Sequence, residues 1–420
     1  MTDARRPSSA ARIRHGRQTR STVARNLLAF VGIALCCVLV AGVSLAAIYT
    51  YHLGSNVAKN SVDIGGGKTL KAPTIGEYPG AFNVMLVGVD NDPSQSTAAY
   101  GKRGGAILND VNILLHVSAD RKSATAVSIP RDLVVPFPSC TSEDGKRTTS
   151  PASGLAFNNA YAYGGLKCVV AVAEKLSGLD IPFAGVVTFD GVVQLSTVVG
   201  GVDVCVNQAI KDPYTGLDLP AGHSSIQGAQ AAAFVRSRHG VGDGSDLGRI
   251  SSQQVFMSSL VRKLKSEGTL GDPSKLLQIA EVATTSMKLS TSLASPIRMV
   301  SIAQALRNIP LETVVFVQYP GSTGGSGIFT GKVQPNVSVA TKMWSALKAD
   351  QPIALDAQSV GAAGGSELDP TASQTPAPTG SASASPAPSD GTGSGTATAI
   401  SGLKGQTAAQ QTCSKAYSGG

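Results

Sequence analysis

The sequence lacks the short motifs of several common catalytic machineries. It has no GxSxG turn for a strained nucleophilic serine, no HExxH pair for zinc and no Walker loop for a nucleotide. Histidine is scarce, and its five copies show no triad spacing. His15 lies in a basic N-terminal segment, His52 follows an apolar run, and His223 and His239 fall on loops. His116 sits in a predicted buried strand, where a satisfied core role is expected. No cysteine has CxxC or Cys/His spacing, which argues against a structural zinc. No internal repeat is present. Between Trp344 and Tyr417 there is no aromatic residue at all.

Charge is also absent where it matters most. The run from Leu27 to Tyr49 carries none over 23 residues. As a helix it would reach roughly 34 Å, enough to cross a hydrocarbon core of about 30 Å. It is longer than the apolar stretch of a cleaved signal peptide, so an uncleaved transmembrane helix over 27–49 is expected. The 26 residues before it hold seven arginines and one acid, Asp3, and so supply +6 of the chain's +8. Such a flank stays in the cytoplasm. The expected localisation is the cytoplasmic membrane, single-pass, N-terminus inside, with the bulk of the chain extracytoplasmic. The remaining charge of about +2 gives no reason to expect a nucleic-acid partner.

Cys36 and Cys37 lie in the apolar span. Cys140, Cys168, Cys205 and Cys413 would be exported, where disulfides persist. Four cysteines allow three pairings. Cys140–Cys168 is favoured because it closes a Gly/Ser/Thr-rich loop. Cys205–Cys413 then follows by elimination and would pin the C-terminus to the domain.

The remaining organisation reads as a linker over 50–80, a main domain over 81–265, a C-terminal α/β extension packed on it over 266–355, and a disordered Ala/Ser/Thr/Pro/Gly-rich tail over 356–420. Short apolar runs at Phe82–Val89, Val111–Val117, Ala124–Ile129, Phe183–Phe189, Val202–Val206 and Thr313–Val317 have strand character. Helical spacing marks Cys168–Leu179, Gly191–Val199, Gln227–Phe234, Arg249–Lys265 and Ser338–Ala349. The alternation predicts an α/β fold, an α–β–α layered domain with a mixed sheet.

Polar residues stand at the ends of these strands, where open α/β sheets bind ligands. They are Asp90 after the first run, Asp110 before the second and Arg131 after the third. Taken singly, each also reads as a turn residue or cap. A second cluster combines Arg236, Arg238, Asp246, Arg249 and Gln253. Arg236 and Arg238 alternate, so on an extended segment both would face one side. Arg249 and Gln253 are one helical turn apart and project together. Asp246 could cap that helix, orient Arg249 or act as a base. Clustered arginines suit a phosphate or pyrophosphate, which accepts their bidentate hydrogen bonds; a surface ion-pair network is the plainer reading.

In order, NVMLVGVD (83–90), NDVNILLHV (109–117), SIPRD (128–132), FNNAYAYGG (157–165), FDGVVQLSTVVGGVDV (189–204), FVRSRH (234–239) and DLGRISSQQ (246–254) resemble the LytR–CpsA–Psr proteins of bacterial cell-wall assembly. The resemblance implies an enzyme, a phosphotransferase that moves a glycan phosphate from a polyprenyl-pyrophosphate-linked glycan to a peptidoglycan hydroxyl. A non-catalytic lipid-pyrophosphate scaffold and a lipid pyrophosphatase are the alternatives. It implies an α–β–α sandwich with an apolar channel for the lipid. It also implies that Arg131, Arg236, Arg238 and Arg249 clamp the pyrophosphate with Gln253, that Asn158 contacts substrate, and that Asp90 and Asp110 hold Mg2+ or Mn2+. Many members carry an arginine two residues before the aspartate matching Asp110; this chain has Leu108, with Lys102 and Arg103 nearby.

Overall fold

A computed structural model describes residues 24–37, 40, 41, 44, 61–65, 78–90, 107–266, 272–356, 359, 365–372 and 397–417. The chain divides into two compact units, Met1–His52 and Leu53–Gly420. In the first, residues 24–37 are helical with exposed side chains. Among the described residues no helix is long and apolar enough to cross a membrane. Part of the span expected over 27–49, and every arginine before it except Arg25, lies outside the described residues.

The second unit is built on an eight-stranded mixed sheet. Its strands are β1 (Ser61–Val62), β2 (Phe82–Val89), β3 (Asn109–Val117), β4 (Ala124–Ser128), β5 (Phe183–Val187), β8 (Met287–Ser290), β9 (Val314–Gln318) and β11 (Lys404–Thr407). Their order is β1-β8-β5-β2-β3-β4-β9-β11. β2, β3 and β4 form an antiparallel meander. β5 runs parallel to β2, and β9 runs parallel to β4.

Alternation along the strands builds two cores. Met85 and Val87 of β2, Leu114 of β3 and Val127 of β4 face helices α1 (Asn159–Ser177) and α7 (Val337–Lys348), meeting Val169, Val172, Met343 and Trp344. Phe82, Val84, Val117 and Phe183 face the other way, onto Ile302 and Ala305 of α6 (Pro296–Arg307). Ala126 and Phe316 meet Met257 and Val261 of α4 (Asp246–Ser266). The three layers agree with the expected α–β–α arrangement.

A smaller sheet, β7-β6-β12-β10, flanks α4. It comprises β6 (Val202–Val206), β7 (Gly222–Ile226), β10 (Ser366–Leu368) and β12 (Thr412–Ser414). Beside it lie α2 (Phe189–Val198) and α3 (Ala229–Arg236), which share a core with α4 through Val199, Phe234 and Phe256. Helix α5 (Pro273–Ser286) packs on α2.

Two of the expected boundaries require correction. The stretch 266–355 is not an extension packed on a finished domain: β8 and β9 are members of the main sheet. Nor is 356–420 wholly without structure. β11 closes one edge of the main sheet, and β12 lies between β6 and β10. Within the expected linker, β1 pairs with β8. Both disulfides form as anticipated, Cys140–Cys168 and Cys205–Cys413. The second ties β12 to β6 across 208 residues of sequence.

Candidate active site

The site begins with an irregularity in the β2–β3 pairing. Gly88 opposes Val111, but Val89 opposes Asn109, so Asp110 is the extra residue of a bulge. Bulges re-aim a side chain out of the regular pleat. Gly88 permits the close approach, since a Cβ there would lie 2.9 Å from Val111 Cβ. Asn109, fully buried, fixes the strand start: its Nδ2 donates to Asn112 Oδ1 and the Phe157 carbonyl, and its Oδ1 accepts from the Tyr161 amide.

Asp110 then meets the end of β4. Arg131 Nη1 donates to Asp110 Oδ1 at 3.0 Å, and Arg131 Nε lies 3.5 Å from Asp132 and 3.6 Å from Asp246. Arg249 enters from α4. Its Nη2 donates to Asp246 Oδ1 at 2.5 Å and to the Asp110 carbonyl at 2.9 Å. Two arginines and three aspartates thus interlock at the carboxyl end of β4. The Arg131 guanidinium is held above its ordinary pKa: burial acts the other way, but Asp110 and Asp246 outweigh it.

Asp246 is 4% exposed, and both its oxygens are engaged, Oδ2 by the Arg131 amide and Oδ1 by Arg249. Burial pushes its carboxyl upward, while Arg249 and Arg131 oppose that. Of the roles open to it in the sequence, orienting the arginines is the one this geometry supports. The cap of α4 comes instead from Ser245, whose Oγ accepts from the Gly248 amide at 3.3 Å.

Arg236 and Arg238 arrive differently from expectation. Arg236 is the last residue of helix α3, and the chain becomes extended only at Ser237. Arg236 stacks over Phe189 at 4.7 Å. Arg238 Nε donates to the Gly244 carbonyl at 3.1 Å. Between them Ser237 Oγ donates to the buried Asp212 at 2.7 Å, anchoring the segment. Arg131, Arg236, Arg238, Arg249, Asp110 and Gln253 all line one cleft of about 170 Å³, joined by Phe189, Asp212, Tyr214 and His239. The rings of Tyr214 and His239 lie 4.6 Å apart at its rim.

Three further expected residues are Gln253, Asn158 and Asp90. Gln253 lines the cleft, but its Nε2 is spent on the Val235 carbonyl, fastening α4 to α3. Asn158 does not line the cleft. It lies behind Arg131, its amide donating to the Arg131 carbonyl at 2.8 Å and its Oδ1 accepting from Asn159. Asp90 follows β2 at the same end as Asp110 and is half-buried. Leu108 precedes β3 and is half-buried, while Asp110 is served by Arg131 and Arg249; Lys102 and Arg103 lie outside the described residues. Phe189 and Asp212 in the cleft, and Asp132 beside Arg131, are site residues that carry no signal of their own in the sequence.

Comparison with known proteins gives one family. The model of the LytR_cpsA_psr family matches residues 47–349. The cell wall biosynthesis protein LcpA of Corynebacterium glutamicum is 29% identical over 346 residues, 77% of this chain and 64% of its own length. The polyisoprenyl-teichoic acid–peptidoglycan teichoic acid transferase TagT of Bacillus subtilis is 27% identical over 237 residues, 54% of this chain and 66% of its own length. The crystal structure of B. subtilis TagV superposes with a TM-score of 0.51 at 22% identity, covering 65% of this chain and 98% of that one.

Proposed function

The chain belongs to the LytR–CpsA–Psr family, and from that premise we propose that it transfers a glycan phosphate from a polyprenyl-pyrophosphate-linked donor to a hydroxyl of peptidoglycan. The observation that carries the reading is the convergence of Arg131, Arg236, Arg238 and Arg249 on one cleft. Four cationic forks on a concave surface suit a pyrophosphate, whose oxygens accept their bidentate hydrogen bonds. The similarity to TagT, a polyisoprenyl-teichoic acid–peptidoglycan teichoic acid transferase, supports the same chemistry.

The step forms a bond between the acceptor oxygen and the glycan-bearing phosphorus. It breaks the bond from that phosphorus to the bridging oxygen. Polyprenyl phosphate leaves, and the hydroxyl proton passes to solvent. Such a transfer needs charge neutralisation and alignment more than covalent catalysis. Arg131 and Arg249, fixed by Asp110 and Asp246, are preorganised for the transition-state oxygens. Arg236 and Arg238, which line the same cleft, grip the donor.

Asp90 and Asp110 stand at the same end of adjacent strands and offer hard carboxylate oxygens, which fits Mg2+ completed by phosphate and water. When bound, the ion would add to the neutralisation of the pyrophosphate. The domain would work outside the cytoplasmic membrane, anchored by residues 27–49.

The test is to incubate the purified chain with Mg2+, a polyprenyl-pyrophosphoryl oligosaccharide and peptidoglycan chains. A phosphodiester-linked glycan is expected. Phosphate release without the link would make the protein a pyrophosphatase, and binding without turnover would make it a carrier.

A further inference from the structure

The last described residues of the chain lie against the loop that carries Arg238. β12 runs parallel to β6, and the Cys205–Cys413 bridge joins the two. The Ser414 carbonyl accepts from the Asn207 amide, and the Ala416 amide donates to Asn207 Oδ1 at 2.9 Å. The chain then passes beside residues 238–245. The Gly242 amide donates to the Lys415 carbonyl at 2.9 Å, and the Tyr417 amide donates to the Gly240 carbonyl at 2.9 Å. Val241 and Ala416 form an antiparallel bridge. The Tyr417 ring lies over Gly244, so close that a Cβ on that glycine would be 3.2 Å from it.

Gly244 is also the residue whose carbonyl receives Arg238 Nε. It holds φ at +75°, a conformation that an L residue rarely adopts, and it offers its carbonyl from there. The front of the segment is fixed by Ser237 on Asp212. Its back is fixed by residues 415–417, contributed from about 170 residues further along the chain. Val241 is buried in the core shared by α2, α3 and α4, and His239 lies against Tyr214. The hydrogen bonds within the 240–245 stretch itself are local turns, from the Gly244 amide to Val241 and from the Ser245 amide to Asp243.

We infer that residues 415–417 form a positioning strap for the anion site, acting through the Gly240–Gly244 backbone to hold Arg238 in the cleft. Resting on the anion-binding reading above, the inference gives the C-terminus a role in donor affinity. The Cys205–Cys413 bridge supplies the fixed point from which the strap reaches the loop. β12 is buried and crosslinked at Cys413, two residues before Lys415 meets the loop.

The test compares the full chain with one ending at Ser414, which keeps β12 and the disulfide but loses the strap. Binding of inorganic pyrophosphate is measured calorimetrically in Mg2+, and thermal unfolding is recorded beside it. The shortened chain is expected to bind about ten-fold more weakly, the size of one charge-assisted hydrogen bond, with its unfolding midpoint unchanged. Arg238→Ala should weaken the full chain by a similar factor and add nothing in the shortened one, because the two changes remove one interaction. Arg236→Ala should weaken both chains equally. If the shortened chain does not unfold cooperatively, Tyr417→Pro carries the same expectation, since it deletes both the amide donor to Gly240 and the ring. Equal affinity in both chains, or fully additive losses with Arg238→Ala, overturns the strap and leaves the proposed function standing. A full chain that binds no pyrophosphate overturns both.

Discussion

Asp246 and Arg249 face each other one helical turn apart at 2.5 Å, both almost closed to water. A buried pair is costly to break because the survivor keeps its charge without its partner. Asp246→Ala should therefore destabilise the domain by about 3 kcal/mol and remove transfer activity. Asp246→Asn keeps the shape and one acceptor, and should lower the rate while leaving the outline of the pH–rate profile intact. A profile that loses its acidic limb in Asp246→Asn would instead assign Asp246 to proton transfer as a general base.

Arg131 joins Asp110 and Asp246 through different nitrogens of one planar group. Lysine carries the charge but not the fork. Both Arg131→Lys and Arg131→Ala should reduce transfer by at least ten-fold, since one electrostatic transition-state contact is worth roughly 3 kcal/mol. Arg236→Ala should do the same. Steady-state rates on folded variants decide this; unchanged rates would remove these arginines from the clamp.

The parts of the fold that were legible in the sequence are those whose signal is local. Phe82–Val89 reads as a strand because eight residues with one polar side chain bury both faces, and the structure gives the same bounds. The order within the tail is not legible, for the opposite reason. Residues 404–407 and 412–414 are Gly, Thr, Ser and Gln with one lysine and one cysteine. They are ordered by pairing with β9 and β6 and by the bond to Cys205, none of which is local. In the site, the arginines announced themselves by charge, but Asp212 sits in a turn-like IKDPYTG stretch and reads as a turn residue. Only the fold brings it to Ser237. Phe189 reads as a core aromatic until Arg236 is placed over it.

The two disulfides span very different loops, 28 and 208 residues. Loop-closure entropy makes the longer crosslink worth about 2 kcal/mol more. The Cys205→Ser/Cys413→Ser pair should accordingly lose more stability in denaturant titration than Cys140→Ser/Cys168→Ser. Non-reducing peptide mapping should recover Cys140 with Cys168 and Cys205 with Cys413. A larger loss from the short loop would show that native packing around α1, rather than chain entropy, dominates.

His116 gives the domain a defined response to acid. It is 5% exposed, with Nδ1 at 2.9 Å from Asn83 Oδ1 and Nε2 at 3.1 Å from Asp350 Oδ1. Burial pulls its pKa below the usual histidine value of 6.5, and Asp350 opposes this without overcoming it. The unfolded chain therefore binds the proton more readily than the folded one. The stability contributed by keeping His116 neutral is complete above pH 6.5 and is lost as pH falls through the lowered folded value. His116→Gln cannot take up that proton. It should start less stable at neutral pH, yet lose less stability than the native chain between pH 7 and the acid side of the histidine range. Unfolding midpoints measured across that interval test the sign. If the native chain gains stability on acidification and His116→Gln does not, the ion pair with Asp350 outweighs burial, and His116 is held charged in the fold.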